Sequence, residues 1–213
     1  MAAEALGALL LAACVIGSGI MAERLAAANG AIALLANTLA TVAGLATLIT
    51  LFGPISGAHF NPVISAVAWR NAQIDARTAS LFMLAQVAGC CAGAALANAM
   101  FELPMVHPST HVRTGAAQWL SESVATAGLV FIAFRCTSFN EAAWRVSLWI
   151  GAAYWFTAST SFANPAITIG RSLSDTFAGI RPVDVPGFIA AQIAGALIGA
   201  ALLRLFAKRE ATA

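Results

Sequence analysis

Two dipeptides in this 213-residue chain join a strong helix cap to a favoured first helical residue: Asn61-Pro62 and Asn164-Pro165. Asn is among the best N-cap residues, and Pro suits the next position because the N–H it lacks would be unpaired there anyway. The Asn carboxamide can cap with its oxygen and still present N–H donors, which Asp could not do. Both dipeptides lie in apolar surroundings, so each reads as the start of a half-helix inside a membrane, where the first four backbone N–H groups need partners. A lone Asn-Pro is more often an ordinary turn. The paired, repeat-related occurrence favours half-helices.

Two such helices starting from opposite sides would bring two N-termini together near the bilayer centre, each with roughly half a positive charge from aligned peptide dipoles. Cations are repelled there, while a hydroxyl or water oxygen accepts from both Asn amides. With its hydrogens forced outward, a chain of waters cannot relay a proton through that point. The expected traffic is small, uncharged and polar.

Other chemistry-bearing residues are sparse. Cys14, Cys90, Cys91 and Cys136 sit in apolar segments without CxxC spacing, so small packing residues are expected rather than disulfides or a metal site. His107 and His111 are four apart, but Pro108 and the polar composition around them argue for a loop, not a metal-binding helix face. No cofactor and no catalytic set is indicated, and a net charge of +2 with scattered basic residues points away from nucleic acid.

The elements that must position the Asn pair follow from composition. Hydrophobic residues make up 60% of the chain and charged residues 9%, a balance suited to lipid. Spans are expected near 4–22, 30–51, 76–100, 116–137, 144–160 and 187–206, with short segments near 61–69 and 164–173 left over. The second charge-free run, Leu25 to Trp69, is too long for one crossing and is interrupted at Gly53-Pro54 and Asn61-Pro62. The first apolar segment lacks a basic leader and is expected to be a retained helix rather than a signal peptide. Seven Lys and Arg residues against four on alternate sides place both termini in the cytoplasm, in a cell (inner) membrane.

The halves repeat. Residues 85–96 match 191–202 at eight of twelve positions, and a lone acid, Glu4 or Glu122, opens each half. The chain is thus expected to be one channel domain of two repeats, about 1–100 and 116–208, joined by a loop at about 101–115. Three spans per half make the repeats inverted, an arrangement that places a transport site at the midplane. Gly89, Gly93, Gly195 and Gly199 recur every four positions and let backbones pack closely.

The stretches Ser56-Gly57-Ala58-His59-Phe60-Asn61-Pro62-Val63 and Ser161-Phe162-Ala163-Asn164-Pro165-Ala166 closely resemble the two signature loops of the aquaporin, or major intrinsic protein, family. The resemblance extends through Glu4, Gln86, Glu122 and Gln192. It implies an all-α membrane fold of six transmembrane helices and two re-entrant half-helices, an aquaporin-like inverted repeat, assembled as a homotetramer with one pore per subunit. It also implies that Glu4 and Glu122 brace the re-entrant loops. A proton relay through them would need further titratable partners, which these spans lack. His59 resembles the loop histidine on the cytoplasmic side of the pore, either lining it or packing the loop.

Two departures from the family pattern stand out. Val63 replaces the usual Ala after the first Asn-Pro and should change packing more than chemistry. More consequentially, Ile167 stands after Asn164-Pro165-Ala166, where water- and glycerol-selective members usually carry Arg. Spacing from the two Asn residues places the other filter positions at Thr41, Ala152 and Ser161. A filter of Thr41, Ala152, Ser161 and Ile167 is wider and less charged than a water-selective one. Arg171, one turn beyond Ile167, faces the outer vestibule or pairs with Asp175.

The run from Ser161 to Pro182 also resembles a bacterial branch of the family associated with arsenic resistance, which implies arsenous acid or methylated arsenicals beside glycerol and water. The alternative class is an ion-coupled secondary transporter, which also uses broken helices and inverted repeats. The scarcity of intramembrane acids weighs against it, and an enzyme has no nucleophile, base or metal cluster to use.

Overall fold

The computed structural model describes residues 1–210, with side chains through 207. Four helices fill the first half: α1 (Ala2–Leu25), α2 (Gly30–Ser56), the short α3 (Pro62–Arg70) and α4 (Ala76–Met100). The second half repeats the order with α5 (Ala116–Ala133), α6 (Phe139–Phe156), the short α7 (Pro165–Arg171) and, after a 3-10 turn at Pro182–Asp184, α8 (Val185–Glu210). Among the described residues the fold is all helix and loop, with six long helices and two half-helices.

Five of the long helices are apolar enough to cross a membrane on composition alone. The sixth, α6, starts with a charged pair, Glu141 and Arg145, joined at 2.6 Å, and completes the bundle against α2 and α5. Its start is fixed by Ser138, whose side chain accepts from the Glu141 N–H, while Glu141 accepts from the N–H and hydroxyl of Thr137. That Ser-x-x-Glu cap moves the helix from the expected 144–160 to 139–156, and α5 correspondingly ends at Ala133 rather than 137.

The expected break at Gly53-Pro54 does not end α2, which continues to Ser56. Gly53 lies against the Phe139 ring, where a side chain would not fit. The helix ends on Gly57, at φ 88°, whose N–H donates to Gly53 O. A proline inside a membrane helix is tolerated where neighbouring helices enclose it.

Glycines bring the helices together within each half. Added side chains at Gly89 and Gly93 would strike the α1 carbonyls of Ala5 and Leu9, and at Gly195 and Gly199 the α5 carbonyls of Ser123 and Ala127. Lipid supplies no hydrophobic drive between helices, so this backbone-level fit holds α4 on α1 and α8 on α5. The core between them gathers Ala8, Ala12, Val15, Leu129, Val130 and Ile150 around the half-helix loops.

Candidate functional site: a central pore

Asn61 and Asn164 meet where the half-helices begin. The Asn61 carboxamide oxygen accepts from Val63 N–H at 3.1 Å, and that of Asn164 from Ala166 and Ile167 N–H at 2.9 and 3.3 Å. Each Nδ2 donates to the other repeat's loop: Asn61 to Ala163 O and Asn164 to Phe60 O, both at 2.8 Å. One N–H of each amide is thereby spent across the pseudo-twofold axis. The second N–H of each is left for the lumen, and both side chains line the central cavity.

The loops that deliver these residues are strained. Ala58, Phe60, Ser161 and Ala163 all have φ between 47° and 49°, a left-handed backbone that non-glycine residues seldom adopt. Two buried carboxylates hold them there. Glu4 accepts from the N–H groups of His59 and Phe60, from Ser56 Oγ at 2.5 Å and from Gln86 Nε2 at 2.7 Å. Glu122 accepts the matching four: Phe162 N–H, Ala163 N–H, Ser159 Oγ at 2.6 Å and Gln192 Nε2 at 2.7 Å. Two donors on each oxygen are the complement of a carboxylate, and they leave no free acceptor for a relayed proton.

His59 lines the same cavity. Its Nδ1 lies 3.0 Å from Ser65 Oγ, which accepts from Gln86 Nε2 at 2.9 Å. The hydroxyl of Ser65 thus links the His59 ring to the Gln86 amide that also bonds Glu4. At the equivalent place in the second repeat stands Phe162, an aromatic ring without a proton to offer.

The cavity measures about 530 Å³ and reaches from Gln73, Ser138 and Phe139 at one mouth, past the Asn pair, to Arg171 at the other. Thr41, Ser161 and Ile167 line it. Ser161 Oγ is buried without a protein partner. Ala152 does not line it: this residue is exposed on the outer surface of α6. Ala152 and Tyr154 are two residues apart, which on a helix of 3.6 residues per turn is more than half a rotation. Tyr154 occupies the inner face instead, with its hydroxyl 3.4 Å from Thr41 Oγ1.

Arg171 is 3% exposed and lines the cavity. Its Nε donates to Ala178 O, and its guanidinium lies over the Phe162 ring. The pairing with Asp175 does not form. Asp175 accepts instead from Thr110 N–H at 2.8 Å and from the hydroxyls of Thr110 and Ser109, which closes the α4–α5 loop over this mouth. A second buried arginine, Arg113, donates to the carbonyls of Gly179, Ser159 and Phe177 and also lies over Phe162, at 5.1 Å. Arg113 reads from sequence only as a topology marker, because the fold-back of its loop has no local signature. Tyr154, the chain's one tyrosine, did leave a signal: a hydroxyl in an apolar span needs a partner.

His107 and His111 sit on the exposed outer loop, and among the described residues no three His, Cys, Asp or Glu side chains gather as a metal site. The thiols of Cys14, Cys90, Cys91 and Cys136 are free; Cys90 packs against α1 with its Sγ toward Ala8 O.

The geometry agrees with comparisons to known proteins. The sequence matches the major intrinsic protein family over residues 1–154 and 116–213. It is 54% identical over 204 residues to the aquaglyceroporin AqpS of Rhizobium meliloti (strain 1021), covering 95% of this chain and 87% of that one. A shorter similarity, 36% over 90 residues, links it to the glycerol uptake facilitator protein of Escherichia coli (strain K12), covering 40% of this chain and 30% of that one. The fold is similar to that of the aquaglyceroporin from Plasmodium falciparum, with a TM-score of 0.65 at 15% identity over 93% of this chain and 92% of that one. With two capped half-helices meeting at a lined cavity, and with the family match extending over the whole chain, this protein belongs to the major intrinsic protein family and is a passive membrane channel for small uncharged solutes.

Proposed function

We propose that the pore is tuned for solutes larger than water, glycerol-like polyols among them, by a selectivity stage of Thr41, Tyr154, Ser161 and Ile167. The observation that carries this is Ile167 at the first turn of α7, where an aliphatic side chain faces the cavity instead of a fixed charge. Thr41 and Ser161 supply hydroxyl groups to the cavity and Ile167 an apolar side chain. A polyol, with one carbon face and one hydroxyl face, fits such a stage. Tyr154 narrows it relative to the Ala152 ring expected from spacing.

Arg171 is the outermost member of the pathway and keeps a positive charge near the mouth. No Asp or Glu lines the cavity among the described residues, so the route repels cations from the mouth to the Asn pair. Arsenous acid and methylated arsenicals in their neutral forms belong to the same class of small hydroxylated solutes. AqpS is named an aquaglyceroporin, which supports the polyol reading.

The chain acts in this reading as one channel domain of two inverted repeats, about 1–100 and 116–208, in the inner membrane with both termini cytoplasmic. A homotetramer with one pore per subunit is the assembly proposed. Reconstituted into liposomes, the protein should show glycerol efflux that rises linearly with the gradient and needs no ion gradient. Saturation at accessible concentrations together with dependence on a proton or sodium gradient would favour the secondary transporter.

A further inference from the structure

The two half-helices are packed differently against their neighbours. In the second repeat Gly170 lies on the backbone of Cys90, where an added side chain would come within 2.8 Å of Cys90 O, so α7 beds directly onto α4. Aligning Asn61 with Asn164 and Gln86 with Gln192 makes Val67 and Ala196 the equivalent pair in the first repeat. Valine cannot approach as glycine does. There α3 stands off α8, and a groove of about 560 Å³ opens, lined by Ala66, Val67, Ile193 and Leu197, with Trp69 and Arg70 at its end.

This groove lies on the outer surface of the bundle, with Leu197 61% and Trp69 52% exposed. The same face of α8 continues from Ala200 to the exposed Arg204, four residues on. Arg70 is the last residue of α3 and Arg204 lies near the end of α8, and the count of basic residues assigns both to the same membrane face. Neither has an acidic partner among the described residues. The described carboxylates on that face are already engaged, Asp75 by Thr78 and Glu141 by Thr137 and Arg145. A second copy of the chain therefore has no free acid among them to place against the two arginines.

An apolar slot ending in two unpaired cations and an interfacial tryptophan matches an acyl chain below an anionic head. We propose that the α3/α8 groove is a binding site for an anionic phospholipid, with one acyl chain between Val67 and Leu197 and the phosphate on Arg70 and Arg204. The groove begins at Val63, two residues from Asn61, so an occupied slot steadies the half-helix whose first turn forms the pore centre.

Native mass spectrometry of the full-length, detergent-purified protein tests this with phosphatidylglycerol and phosphatidylcholine of identical chains. The expected result is one retained phosphatidylglycerol per subunit, weakened about fivefold by each of Arg70→Gln and Arg204→Gln, and lost in Leu197→Trp, which blocks the slot from outside. Glycerol flux of the variants in phosphatidylcholine vesicles verifies that they fold. Equal retention of the two lipids, or unchanged phosphatidylglycerol binding in the double arginine variant or in Leu197→Trp, overturns the proposal. So does a change of oligomer mass in Leu197→Trp with lipid still bound, since the groove is then a contact between copies.

Discussion

The guanidinium of Arg171 lies 3.3 Å from the centroid of the Phe162 ring, with its Nε turned to the carbonyl of Ala178. Phe162 is at once a brace, through the N–H it gives to Glu122, and a platform that aims a charge into the pore. A cation over an aromatic face in a desolvated place is stabilised by about 2 kcal/mol or more. Loop strain, carboxylate and charge thus form one unit, built around the residue that follows Ser161.

Removing that charge should open the outer stage. Arg171→Ala is expected to admit longer polyols than the wild type while leaving the Asn pair, and hence proton exclusion, in place. Stopped-flow swelling of proteoliposomes across a series of polyols reads the change. An identical size cutoff in wild type and variant would show that Arg171 does not shape the pathway.

The braces should matter more to stability than to selectivity. In Glu122→Gln an amide NH2 replaces one oxygen and faces two donors, so at least one buried N–H loses its acceptor. The cost is about 3 kcal/mol, the upper end for a buried unsatisfied group. Thermal unfolding in detergent should show a clear drop in Tm for Glu122→Gln and, by the same bonding, for Glu4→Gln. A Tm equal to wild type in both would contradict the brace assignment.

Acid should loosen the outer loop first. The Thr110 N–H, together with the Thr110 and Ser109 hydroxyls, holds the Asp175 carboxyl below the ordinary aspartate range. A folded value depressed below about 3.9 means the contribution is complete above that pH and is lost as the pH falls through the folded value. Hydrogen exchange in residues 107–113, corrected for intrinsic rate, should stay slow at neutral pH and quicken in that acid window. Asp175→Asn should exchange quickly already at pH 7. Equal protection in the two proteins at pH 7 would remove Asp175 from the account.

Much of this site was legible in the sequence, because its determinants are local. Asn-Pro sets a cap and a first turn within two residues, and recurrence in the second half supplies the partner. Ser161 and Ile167 reach the cavity within three residues of Asn164, whose cap sets the first turn of α7, while Thr41 reaches it from α2. Ala152 misses because its spacing from Asn164 crosses the loop between α6 and α7, whose length no helix period fixes, and a two-residue error turns a helix inside out. Arg113 was out of reach: it enters the core by a loop that folds back across the mouth, held by Asp175 and Asp184 from distant parts of the chain. Arg171 was readable to within a turn, but its choice of Phe162 over Asp175 depends on Asp175 being taken by Thr110.

The central claim is that an aliphatic residue at 167, rather than a charge, keeps the outer stage wide enough for solutes larger than water. Permeabilities of wild type and Ile167→Arg to water, glycerol and a longer polyol, measured on the same proteoliposome preparations, test it most directly. Wild type should conduct the longer polyol as well as glycerol, and Ile167→Arg should lose most flux of the longer polyol while keeping water flux, which also shows that the variant is folded. Longer-polyol flux that survives the substitution at the wild-type ratio to water would contradict the account.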